Sequence, residues 1–158
     1  MAAELITKAG NAMSSKNFMR LMKSILTDGK LDGCGITSSG ANITVAAGRI
    51  VAGGALVVME STTVTASVAG ELVLRIDTSG EGSASILARA AIALTKQDIT
   101  GAGTVYEEQL ATFGFSSGAV SGLSVKIGAA APIGASGRGI YVQQSAPSNP
   151  ITGDLWFW

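Results

Sequence analysis

From Ser14 to Gly29 the stretch SSKNFMRLMKSILTDG sets Phe18, Leu21, Met22, Ile25 and Leu26 at spacings i, i+3, i+4, i+7 and i+8. That is the packing face of an α-helix. Ser14 or Ser15 stands where an N-cap would accept from the first free backbone N–H groups, and Asp28-Gly29 turns the chain at the far end. Lys16, Arg20 and Lys23 fall on the opposite side, where a solvated face is expected.

Beyond Gly33 the period shortens. Apolar or alternating runs follow one another between Gly, Ser and Asn: ANITVAAG, RIVAGG, ALVVMESTTVTAS, ELVLRID, SASILARAAIAL, EEQLATFGF, AVSGLSVKI, GIYVQQ and DLWFW. Short runs at regular spacing predict an all-β sandwich or barrel. ASILARAAIAL is ambiguous because its alanines favour helix, but Gly80, Gly82 and the neighbouring β runs favour a strand. In TKQD, Thr95 and Asp98 resemble a capping box that opens a single helical turn. IGAAAPIGASGRG reads as an extended connector. The expected fold is therefore mainly β: an antiparallel sandwich or barrel-like body with one N-terminal amphipathic helix and a C-terminal strand or hairpin. The expected division is 1–128 for helix and body, 129–139 for the connector and 140–158 for the extension.

Composition sharpens this reading. At 158 residues the chain can form one domain without staples, and its single cysteine, Cys34, rules out an internal disulfide and reads as a small half-buried residue in a Gly-rich turn. Charged residues make up only 14%, against about 25% in a typical soluble domain, and mean hydropathy is +0.41. Membrane insertion is not expected, because the most apolar run, IVAGGALVVM, is half the length of a spanning helix. A secretory signal is not expected either, since the first 30 residues lack a continuous apolar stretch. So few charges suit a surface hidden in an assembly. Eleven basic and eleven acidic residues give no net charge, so the basic footprint of a nucleic-acid partner is not expected.

Reactive constellations are sparse. There is no histidine, which removes Ser-His-Asp and Cys-His arrangements; Ser-x-x-Lys and phosphate-loop signatures are missing as well. DGKLDGCGITSS places Asp28, Asp32 and Gly33 at positions one, five and six of a calcium loop, but Lys30 and Ser39 occupy positions that require carboxylates. A pair of Asp-Gly turns explains it better. Glu107 and Glu108 are adjacent, so on a strand they face opposite ways and cannot flank one bond together. They are expected on a solvated sheet edge. No enzyme, cofactor or metal is expected.

Both tryptophans and one of four phenylalanines stand in the last three residues. Three such side chains carry about 450–750 Å² that must be covered. Tyr141, Trp156, Phe157 and Trp158 are therefore candidate subunit-docking residues, with completion of the chain's own core as the alternative.

The order of pieces, Leu72 to Asp77 (LVLRID), Leu94 to Asp98 (LTKQD) and Tyr106 to Ala111 (YEEQLA), behind a helix and the turn DGCGIT, resembles a domain of tail-fibre, baseplate and receptor-binding proteins of tailed bacteriophages. The resemblance spans roughly residues 14–125. The tail YVQQSAPSNPITGDLW is similar to a Pro-rich, Gly-Asp-Leu-Trp element of phage appendages. The resemblance implies a virion structural protein of tail or baseplate, assembled in the bacterial cytoplasm, whose partners are itself, with a trimer favoured, and other phage structural proteins. A receptor- or carbohydrate-binding module that contacts a host-surface glycan, and a capsid decoration protein, are the alternatives.

Overall fold

A computed structural model describes residues 14–133 together with the short segments 140–142 and 155–157. Helix α1 runs Ser15–Ile25. Ser14 caps it as the sequence predicts, its Oγ accepting from the Asn17 N–H at 3.2 Å. Leu26 leaves the helix in an extended conformation.

Ten antiparallel strands build the body in three sheets. The first six alternate between two of them. β1 (Gly29–Gly33), β4 (Gly48–Ala52) and β5 (Ala55–Met59) form a sheet in the order β1-β4-β5, while β2 (Ile36–Ser39), β3 (Asn42–Val45) and β6 (Thr62–Thr65) form another in the order β2-β3-β6. β7 (Gly70–Asp77), β8 (Ser83–Arg89), β9 (Val105–Ser116) and β10 (Ala119–Val125) make the largest sheet, ordered β10-β9-β7-β8. A sandwich-like, mainly β body with one N-terminal helix is what the hydrophobic pattern predicts.

The core lies between these sheets. Ile43 and Val45 of β3, Ile50 of β4, Leu72 and Leu74 of β7, and Leu110 of β9 are fully buried, with Ile99 from the loop before β9. The alternation in β5, with Ala55, Val57 and Met59 buried and Leu56 and Val58 exposed, is the period-two signature of a half-covered strand. Gly53-Gly54 joins β4 to β5 as a two-residue loop with φ of 57° and 87°, the left-handed pair a tight hairpin requires.

Four local expectations are corrected. DGKLDGCGITSS contains two strands, β1 and β2, and the chain crosses from one sheet to the other at Cys34, which holds φ 53°. Cys34 is fully buried in the core rather than half-buried. Residues 95–98 do not open a helical turn. Instead Asp98 accepts from the Thr100 hydroxyl at 2.8 Å and anchors a turn, because a short carboxylate competes well for nearby donors. SASILARAAIAL is a strand only as far as Arg89, after which residues 90–95 leave the sheet.

The first part of the expected connector lies along the body: Lys30 donates to the Gly128 carbonyl and Ala130 to the Lys30 carbonyl, each at 2.8 Å, and Ile133 donates to the Ile25 carbonyl at 2.8 Å. β11 (Ile140–Val142) and β12 (Leu155–Phe157) pair in parallel, with Tyr141 opposite Trp156. The extension is thus a strand pair rather than a hairpin, since parallel neighbours need a connection of about a dozen residues.

Candidate interaction surface

Two stripes run along α1, offset by two residues and so about 200° apart around the axis. Phe18, Leu21, Met22 and Ile25 form the apolar stripe; Lys16, Met19, Arg20 and Lys23 form the other. The second stripe faces the body. Lys16 Nζ donates to the Gly101 carbonyl at 2.7 Å, Arg20 Nε to the Thr100 carbonyl at 3.1 Å, and Lys23 Nζ to Asp98 Oδ1 at 3.0 Å. The three cations are exposed, as expected, and in addition are tied to the loop before β9.

The helix backbone rests on the hairpin turn between β4 and β5. A Cβ on Gly54 would meet the Met19 carbonyl oxygen at 2.4 Å. Met19, between the cations, packs against the core. The outcome for the packing face is that Phe18, Leu21 and Ile25 remain 38%, 40% and 37% exposed, with Met22 and Leu26 half-buried. Phe18 and Met19 border a shallow groove of about 410 Å³ with Ser15, Ala55 and Leu56. Its lining side chains are apolar save for the Ser15 hydroxyl, with no charged group among them to orient a small ligand. A second cleft, between β5 and β8, holds only about 210 Å³.

The charged chemistry lies elsewhere, on the large sheet. β9 is a central strand rather than an edge, so the expected solvated position for Glu107 is overturned: it is 1% exposed. Glu107 Oε1 accepts from Arg75 Nη1 at 3.0 Å and Arg89 Nη1 at 2.9 Å; Oε2 accepts from Arg89 Nη2 at 3.0 Å and the Thr95 N–H at 2.9 Å. Glu71, also buried, accepts from Arg89 Nε at 3.1 Å and Gln109 Nε2 at 2.8 Å. The Arg89 hydrogen bonds lead the forces that hold the Glu107 carboxyl down at about 2. A carboxylate this acidic and this saturated with donors is poorly matched to proton transfer near neutral pH. Glu108 faces the other way, as its neighbour position predicts, and takes Lys96 Nζ at 2.6 Å.

The acids of the Asp-Gly turns have separate partners. Asp28 Oδ1 accepts from the Gly53 N–H at 2.9 Å and its other oxygen from the Tyr106 hydroxyl. Asp32 accepts from Arg49 Nε at 2.8 Å, and this hydrogen bond is the leading cause that lowers its pKa. Among the described residues no group of three or more His, Cys, Asp or Glu side chains could hold a metal ion, and no helix is long and apolar enough to cross a membrane.

Of the residues predicted to dock, the backbones of Tyr141, Trp156 and Phe157 lie in the β11–β12 pair, but their side chains, and Trp158 altogether, lie outside the described residues. The hydrophobic pattern does not foresee the outward turn of α1. Its signal is the presence of three cations and no acid on the helix, which calls for acceptors nearby. Compared with protein families, curated proteins and solved structures, the chain matches none.

Proposed function

We propose that this protein is a structural subunit of a bacteriophage virion, a tail or baseplate appendage, acting through packing against copies of itself and other virion proteins. The observation that supports this most is the disposition of its surface. The cations of α1, though exposed, are engaged by the loop before β9, and several large apolar side chains are exposed without such partners: Phe18, Leu21 and Ile25 on the helix at 37–40%, and Val58 at 73% on edge strand β5. Exposed apolar side chains of this size, where they are contiguous, mark contact surfaces. The C-terminal segment with Trp156, Phe157 and Trp158 adds a second candidate contact.

Two measurements test the reading. Sedimentation of the full chain is expected to give a multiple of 15.8 kDa, with three copies favoured, and deletion of residues 154–158 is expected to lower that multiple. Immunogold labelling of purified phage particles with an antibody against the chain is expected to mark the tail. A catalytically active monomer would overturn the proposal; label on the capsid would move the subunit to a decoration role, and binding on a glycan array would favour the receptor-binding alternative.

A further inference from the structure

We infer that α1 is a charge-held strap that opens as one unit while the β body stays folded. How the helix is fastened to its own chain does not depend on the proposed assembly. Burial is slight along the whole element: Asn17 is the single buried residue of α1, and Met19, the side chain that packs against the core, is only half-buried. A helix of 11 residues is marginal by itself in water and takes its stability from packing an apolar face. Here that face contributes little, because Phe18, Leu21 and Ile25 remain 38%, 40% and 37% exposed.

The two ends are fastened differently. At the C-terminal end the backbone itself is tied down: Thr27 donates to the Ala131 carbonyl and Ile133 to the Ile25 carbonyl, each at 2.8 Å, and Leu26 bridges to Pro132. Along the helix the ties to the loop before β9 come from the long side chains of Lys16, Arg20 and Lys23. The one ion pair among them, Lys23 with Asp98, has side chains 51% and 60% exposed. Exposed pairs of this kind are weak, and salt screens them. The hinge is therefore at Ile25–Leu26, where the chain already leaves the helix in an extended conformation. Ser15 to Ser24 swing about it and uncover the buried turn at Gly53-Gly54, on which the Met19 carbonyl rests in the closed form. Few buried contacts and exposed polar ties are the conditions under which one element opens ahead of the rest. Because the released helix is too short to persist alone, undocking and loss of its hydrogen bonds are one event.

Amide hydrogen exchange of the full chain, followed residue by residue by NMR, tests this. The amides of Phe18 to Leu26 are expected to share one opening free energy, below that of β7 and β9. Raising sodium chloride from about 0.05 M to about 1 M is expected to speed their exchange about fivefold, with β7 and β9 unchanged as the internal reference. In the double variant Lys16→Gln, Lys23→Gln the same amides should exchange fast already at low salt and lose most of their salt response, while the body keeps its protection. Exchange of α1 only together with β7 and β9, a graded loss of protection from Ser15 inward, or a wild-type opening indifferent to salt would each overturn the inference. So would a salt response that the double variant retains in full.

Discussion

Arg89 grips Glu107 with both ends of its guanidinium, Nη1 to Oε1 at 2.9 Å and Nη2 to Oε2 at 3.0 Å. The two residues are not on paired strands: β8 and β9 flank β7 on either side, and Arg89 reaches across it. Arg75 on β7 closes the gap from between, at 3.0 Å. The network thus clips three strands together on one face of the large sheet.

That face has a pH signature. Glu107 is lowered from an ordinary 4.5 to about 2 in the folded chain, so its contribution to stability is complete above pH 4.5 and is lost as pH falls from there through about 2. Urea unfolding across this window is expected to show a falling midpoint, and Glu107→Gln should flatten that part of the curve while lowering stability at pH 7. Removing one partner of a buried pair costs about 3 kcal/mol. An unchanged acid limb in Glu107→Gln would refute the assignment.

Close backbone approach gives a second test at Gly29. A Cβ there would meet the Ala130 nitrogen at 2.5 Å and the Ala129 carbonyl carbon at 2.6 Å, so Gly29→Ala must push residues 129–130 away from β1. The expected loss is about 1–3 kcal/mol, with faster proteolysis after Lys126. Gly35→Ala serves as the control: nothing lies within 4 Å of its Cβ position, and a change within about 0.5 kcal/mol is expected.

What is legible in the sequence and what is hidden follow from the range of the interactions. Local pattern is enough for α1, its Ser14 cap and most strands, because short apolar runs such as LVLRID and ALVVM, bounded by polar and glycine residues, mark where strands are buried. It is not enough for β1 and β2, where the Asp-Gly dipeptides read as turns and pairing partners such as Gly48 and Val45 lie many residues away. The orientation of α1 is hidden for the same reason. Amphipathicity shows that a helix has two faces, but the acceptors that engage the basic face, Asp98 and the carbonyls of Thr100 and Gly101, are some 75–85 residues distant. Glu107 reads as solvated because nothing local distinguishes a central strand from an edge.

Cys34 offers a third check. Burial pushes its thiol up, with the nearby Asp32 charge adding to the shift, and thiolate is the reactive form. Ellman's reagent at pH 8 is expected to titrate no thiol in the native chain and one per chain in denaturant. Rapid native reaction would show that the crossing between β1 and β2 opens readily.

Tyr106 connects the turn at Asp28 to the hairpin at Gly53, and the two contacts can be separated. Its hydroxyl donates to Asp28, whose other oxygen accepts from the Gly53 N–H, and its ring lies under the Gly53 Cβ position, with Cγ at 2.8 Å from it. Tyr106→Phe keeps the ring and removes only the hydrogen bond to a charged group, an expected loss of about 1.5–3 kcal/mol. Tyr106→Ala loses the ring as well and should cost more. Burial first, then the Asp28 hydrogen bond, raises the phenol well above its usual 10, so the contribution of this group is whole below pH 10 and declines as pH rises beyond it. Absorbance at 295 nm should therefore show one phenol that ionises only as the protein unfolds in alkali, and that late component should vanish in Tyr106→Phe. If instead the variant titrates like the wild type, Tyr106 does not hold these turns together.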